Sequence, residues 1–152
     1  MISQIKLITD QREIDEAYAF IKSFPLDYPN YQEWLIKCKN ELETGYKSGF
    51  LAKNGNGAVI GSIIVQPHKE DRRVLEIKNL RVAHKYENKG LGSLFCALIE
   101  LYAKDKGFTR LQVDAHASSP VVDFMKKQGF NVEAKEHIYE SETLEAIIAK
   151  NL

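Results

Sequence analysis

Seven consecutive residues in the middle of the chain, Glu87-Asn88-Lys89-Gly90-Leu91-Gly92-Ser93, have the composition of an anion cradle. Gly90 and Gly92 carry no Cβ, so the backbone there can take φ > 0 and let a ligand approach the peptide N–H groups. The amphipathic stretch that follows reads as a helix, which turns several unpaired N–H groups and the positive end of its dipole towards the loop, and Lys89 adds a full charge. A pyrophosphate suits this end. The spacing excludes two alternatives: Leu94 and Phe95 stand where a dinucleotide fold has its third glycine, and no Gly-Lys-Ser/Thr closes the loop as in a P-loop. Elsewhere in the chain, Glu76 and His116 are of residue types that can accept a proton.

The elements around the loop must hold it in place. Leu75 and Ile77 alternate with Glu76 and Lys78 as a strand, but Leu80 and Val82 fall on the opposite phase, so one extra residue near Lys78-Asn79 predicts a β-bulge. Such a bulge bends the strand from its neighbour and frees backbone hydrogen-bonding groups. Upstream, Ile2–Ile8 reads as a strand, and Asp10 with Glu13 as a capping box before a helix striped by Ile14, Ala17, Tyr18 and Ile21. A turn-rich FPLDYPN leads into a helix from Tyr31 to Thr44, ended by Gly45. Strands over 49–53 and 58–66 flank Asn54-Gly55-Asn56-Gly57, a strong hairpin signal. His68 falls in a polar, solvated connection. The helix over 90–106 carries Leu91, Leu94, Phe95, Leu98, Ile99 and Tyr102 on one side. Leu111, Val113 and Ala115 form the next strand, parallel to the central one if the crossover is right-handed. Ser119-Pro120 opens a short helix to Gln128, and a strand starts at Phe130.

Residues 87–92 resemble the acyl-CoA-binding motif of the GNAT superfamily of N-acetyltransferases, Gln/Arg-x-x-Gly-x-Gly/Ala, with Glu87 in the first position as the one departure. Leu80-Arg81-Val82 resembles the strand end that pairs with pantetheine, and Gly129-Phe130 the family's Gly-Phe; together the matches cover residues 58–132. The resemblance implies one α/β domain over residues 1–152, with a mixed central sheet, a splayed and bulged central strand and flanking helices. It makes 143–152 a final strand, although propensity alone favours helix for LEAIIAK. It assigns acetyl-CoA as cofactor, held by Leu80, Arg81, Val82 and residues Glu87 to Ser93. It also places Tyr28, Tyr31 and Trp34 at the acceptor pocket, with His116 a further substrate-binding candidate.

Acyl transfer from a thioester to an amine needs a neutral amine, stabilisation of the oxyanion and a proton for the departing thiolate. Glu76 lies eleven residues before the first motif position, on the strand that resembles the one carrying a glutamate base in histone acetyltransferases of the superfamily. Backbone N–H groups around Leu80 to Val82 would hold the oxyanion. For the proton donor, many relatives carry a tyrosine five residues before the Gly-Phe phenylalanine; here that residue is Met125, which has no proton to give. Tyr139 and His137 are the candidate substitutes. Otherwise the thiolate leaves unassisted, or the chain binds acyl-CoA without efficient turnover.

Twenty-one basic and twenty-one acidic residues cancel over 152 positions, which favours a small-molecule or peptide amine as partner over nucleic acid. Cys38 and Cys96 show no metal-ligand spacing and read as buried, reduced thiols of a cytoplasmic protein. No run approaches the length of a membrane span. A homodimer through the hairpin or a strand edge is open. The reading is an N-acetyltransferase acting by direct attack in a ternary complex; the alternatives are an acyl-CoA sensor of the same fold and a different nucleotide-phosphate binder.

Overall fold

The computed structural model describes residues 1–24, 29–137 and 144–152. Strand β1 (Ile2–Leu7) precedes helices α1 (Gln11–Lys22) and α2 (Tyr31–Thr44); strands β2 (Ser48–Asn54), β3 (Val59–Pro67) and β4 (Val74–Val82) follow. A single 3₁₀ turn, His84–Tyr86, leads to α3 (Leu91–Asp105), β5 (Arg110–His116), α4 (Pro120–Lys127), β6 (Asn131–Glu136) and β7 (Glu145–Asn151). The seven strands form one mixed sheet in the order β1-β2-β3-β4-β5-β7-β6. This is the α/β architecture that the resemblance implied. The chain divides into two compact units, residues Met1–Gln66 with Asn79–Phe95, and Pro67–Lys78 with Cys96–Leu152.

In the first unit the local signals act as the sequence predicts. Asp10 and Glu13 form the capping box of α1, and Gly45, with φ of 83°, closes α2 in the left-handed region. Asn54 Oδ1 accepts the N–H groups of Asn56 and Ala58 and so shapes the β2–β3 turn. The apolar faces of α1 and α2 bury Ile14, Ala17, Ile21, Leu35, Cys38 and Leu42 with Leu51 and Ile64 of the strands. Lys47 is buried too. Its Nζ donates to Glu41 Oε1 at 2.9 Å and to Gln66 Oε1 at 2.6 Å, which supplies the partners a buried ammonium requires. Gly61 admits the helix that carries the anion loop: a Cβ there would lie 2.8 Å from Leu91 and 2.9 Å from Phe95.

β4 carries one surplus residue. The His68 N–H donates to the Val74 carbonyl at one end, and the Ala83 N–H to the Ile60 carbonyl at the other. Eight residues separate 60 from 68 and nine separate 74 from 83, the excess of one that the phase slip near Lys78-Asn79 predicts.

In the second unit β5 is parallel to β4 and antiparallel to β7, which in turn pairs with β6. β7 is therefore hydrogen-bonded on both edges. That pairing overrides the helix propensity of LEAIIAK.

Three expectations need correction. Leu94 is exposed, and the buried stripe of α3 is Leu91, Phe95, Cys96, Ile99 and Ala103, since a 3.6-residue period fixes the stripe only once one contact is known. Gly92 is not in the left-handed region because it already lies inside α3; Asn88 takes that conformation instead, with φ of 58°. His68 is not simply solvated: it is half-buried, and its Nδ1 accepts the N–H groups of Glu70 and Asp71, organising the turn into β4.

Candidate active site

The anion loop lies in the first unit, between the end of β4 and α3. Asn88 and Gly90 take φ of 58° and 88°, so the backbone alternates into the left-handed region twice within three residues. Asparagine tolerates this conformation because its short polar side chain costs little there. Nothing lies within 4 Å of a Cβ placed on Gly90, and Asn88, Lys89, Gly90 and Ser93 are exposed. The Leu94 N–H donates to the Gly90 carbonyl at the start of α3, so the helix N-terminus and the positive end of its dipole face the loop. The Lys89 ammonium lies 5.9 Å from the centre of the Tyr86 ring. An open run of backbone donors with one cation fits a pyrophosphate. Glu87 opposes it with a carboxylate, which has His84 Nδ1 at 3.4 Å.

In the second unit the sheet has two unlike faces. Register partners point to the same side, and Glu76 pairs with Gln112, Asp114 with Ile147, and His116 with Glu145. One face therefore carries Glu76, Gln112, Asp114, His116 and Glu145; the other carries the buried Leu75, Ile77, Leu111, Val113, Ala115, Ala146 and Ile148. Glu76 is 8% exposed, and its Oε2 lies 3.6 Å from Lys78 Nζ. His116 Nδ1 lies 2.6 Å from Oε2 of Glu145, a residue only 1% exposed. Asp114 Oδ1 is buried with no hydrogen-bond partner among the described residues. Burial pushes the Asp114 carboxyl up from its ordinary range; Lys78 and His68 pull it down, while the carboxylates of Glu76 and Glu145 push it further up.

Not every candidate joins these groups. Tyr31 belongs to the core of the first unit, where it stacks on Trp34 with ring centres 5.6 Å apart. Burial pushes its hydroxyl up, partly offset by Arg81 and Asn79. Met125 is fully buried. His137 is exposed. Tyr28 and Tyr139 lie outside the described residues. Cys38 and Cys96 are buried and free, and burial pushes their thiols up to about 12 and about 11. From the sequence Lys78 and Asn79 mark only the bulge, and Asp114 and Glu145 are not singled out. The alternation of Gln112, Asp114 and His116 between apolar residues was the signal for the polar face; Glu145 becomes visible only through the β5–β7 register.

The Acetyltransferase (GNAT) family model matches residues 11–130. The chain belongs to the GNAT family of acetyltransferases. A comparison with curated protein sequences gives no match. Among solved structures, a GNAT-family acetyltransferase from Desulfovibrio desulfuricans is similar at 14% identity over 99% of both chains, with a TM-score of 0.83. An aminoglycoside 6'-N-acetyltransferase complexed with coenzyme A is 12% identical over 98% of this chain and 97% of that one, with a TM-score of 0.77. A streptothricin acetyltransferase from Bacillus anthracis, in complex with acetyl coenzyme A, is 17% identical over 70% of this chain and 63% of its own, with a TM-score of 0.63. At these identities the likeness is one of fold. Among the described residues no helix is long and apolar enough to cross a membrane.

Proposed function

We propose that the chain, as one domain over residues 1–152, transfers an acetyl group from acetyl-CoA to a primary amine by direct attack in a ternary complex. The observation that carries this reading is the open backbone cradle from Asn88 to Ser93 at the start of α3, inside the segment that the family model matches. The relatives of like fold that hold coenzyme A or acetyl-CoA support it. Residues Glu87 to Ser93 would take the pyrophosphate, and Leu80, Arg81 and Val82 the pantetheine arm. Bound there, acetyl-CoA supplies an activated acetyl thioester. Glu76 takes a proton from the acceptor's ammonium, and backbone N–H groups at Leu80 to Val82 face the charge that develops on the acetyl oxygen. The carboxylates on the Glu76 face of the sheet favour a cationic acceptor. The two buried free thiols fit a reducing cytoplasm.

A second reading, a sensor of acyl-CoA, draws on Glu87 at the cradle and on Met125 buried in α4. One experiment separates the two. Thermal unfolding is followed with acetyl-CoA and with ATP, and a panel of primary amines is then screened for release of free thiol. Acetyl-CoA at a hundred times its dissociation constant adds about 2.7 kcal/mol, a rise of roughly 5–10 °C, and turnover with at least one amine is expected. No shift would remove the cofactor assignment, and a shift without turnover would leave the sensor.

A further inference from the structure

We propose that Tyr86, anchored by Asn54 of the β2–β3 turn, positions Lys89 for the pyrophosphate, an inference that rests on the coenzyme A reading of the cradle. All the residues involved belong to the first unit. The 3₁₀ turn His84–Tyr86 leads from β4 to the cradle, and two bonds tie it to the sheet. At its start the Ala83 N–H donates to the Ile60 carbonyl of β3 at 2.8 Å. At its end Asn54 Nδ2 donates to the Tyr86 hydroxyl at 3.2 Å. The direction of this second bond follows from the rest of the Asn54 side chain: Oδ1 already accepts the N–H groups of Asn56 and Ala58, at 3.0 Å each, which leaves the amide nitrogen as the donor. Asn54 thus shapes the hairpin and fixes the turn beside the cradle with one side chain.

Lys89 depends on that anchor. Beyond Tyr86 the chain turns through the left-handed Asn88, and the Lys89 ammonium lies 5.9 Å from the centre of the Tyr86 ring. Lys89 is exposed and its stem is flexible, so a contact with a fixed ring removes freedom that a ligand would otherwise have to remove on binding. The kind of partner matters as well. A carboxylate against the ammonium would neutralise it and compete with a phosphate for it, whereas the face of an aromatic ring attracts the cation and leaves its charge in place. The neighbouring carboxylate, on Glu87, has His84 Nδ1 at 3.4 Å instead. Asn54, Tyr86 and Lys89 therefore form a continuous line of contacts from the hairpin to the anion site. Asn54 and Tyr86 are positioning residues, and Lys89 is the residue that meets the ligand.

The test is calorimetric binding of coenzyme A to wild type, Tyr86→Phe, Tyr86→Leu, Lys89→Met and the double variant Tyr86→Leu/Lys89→Met, so the outcome does not depend on finding an acceptor amine. Tyr86→Leu removes ring and anchor together and should weaken binding about 2–5-fold. Tyr86→Phe keeps the ring but loses the bond to Asn54, and should fall between Tyr86→Leu and wild type. The double variant should bind about as tightly as Lys89→Met, because without the ammonium the ring has nothing to place. With any amine that turns over, Tyr86→Leu should raise KM for acetyl-CoA while kcat at saturation changes less than about 2-fold, a split that loss of folded protein would not produce. Wild-type affinity in Tyr86→Leu would overturn the inference. So would a loss of equal size with and without Lys89, which would give the ring a purely structural role. Wild-type affinity in Tyr86→Phe would overturn the part assigned to Asn54. If Tyr86→Leu fails to fold, Tyr86→Phe with and without Lys89 decides in the same way. A wild type that does not bind coenzyme A would instead overturn the cofactor assignment, and this inference with it.

Discussion

Glu76 and Lys78 stand two residues apart on one face of β4, with Oε2 and Nζ separated by 3.6 Å and both side chains largely buried. At that distance the two groups are paired without a hydrogen bond, so the contact does not tie up the carboxylate oxygens. Glu76→Gln keeps the shape and removes the basicity, so kcat should fall by about 100-fold or more while the acetyl-CoA dissociation constant changes less than about 3-fold. Steady-state kinetics with calorimetric binding measures both. Retained kcat would move the base elsewhere.

Glu87 offers a gain instead of a loss. Its carboxylate is the one negative group in a cradle otherwise built from backbone donors and Lys89, and its partner His84 is almost fully exposed. A negative charge there repels a pyrophosphate. Glu87→Gln should tighten acetyl-CoA by roughly 3–10-fold, about 0.7–1.4 kcal/mol, with the larger effect at low salt. Unchanged or weaker binding would mean that the phosphates do not sit beside this residue.

The elements that depend on neighbours in sequence were legible in it. The Asp10–Glu13 box, the Gly45 cap and the Asn-Gly hairpin are set by a few adjacent residues, and all form as expected. The surplus residue in β4 could be read because a phase slip leaves a trace in the alternation of apolar positions. β7 could not be read from propensity, since its strand state depends on hydrogen bonds to β5 and β6 from distant parts of the chain. The polar face was half legible for the same reason. Alternation shows that Asp114 and His116 share a side, but only the register with β7 brings Glu145 to His116. In the cradle the glycines marked the loop correctly, yet Asn88 and not Gly92 supplies the second left-handed residue.

Asp114 gives a prediction about stability that has the opposite sign from most carboxylates. Burial raises its folded pKa above the unfolded value of 3.8, helped by Glu76 and Glu145. The folded state therefore holds its proton more tightly, and stability is lost as pH rises above 3.8. Asp114→Asn removes that loss. Its thermal midpoint should exceed wild type at pH 7, and the difference should shrink towards pH 4. A midpoint below wild type at pH 7 would show that the ionised carboxylate has a stabilising partner.

Glu13 has the more usual sign and provides the control. Burial pushes its carboxyl up, but the N–H groups of Thr9 and Asp10, the Thr9 hydroxyl and Lys6 together outweigh this and bring it down to about 2 from 4.5. Thr9 N–H and Oγ1 both donate to Oε1 at 3.0 Å, and the Asp10 N–H donates to it at 3.1 Å. The folded state thus prefers the charged form, and this contribution is complete above pH 4.5 and lost as pH falls towards 2. Glu13→Gln should lower stability by about 1–2 kcal/mol at pH 7 and flatten the acid limb of the unfolding curve, because a neutral amide has no proton to gain. Urea unfolding at pH 7, 4.5 and 3 measures both effects. If the variant and wild type lose stability in parallel below pH 4.5, the acid limb belongs to other carboxylates, and the hydrogen bonds at the start of α1 hold Glu13 without favouring its charge.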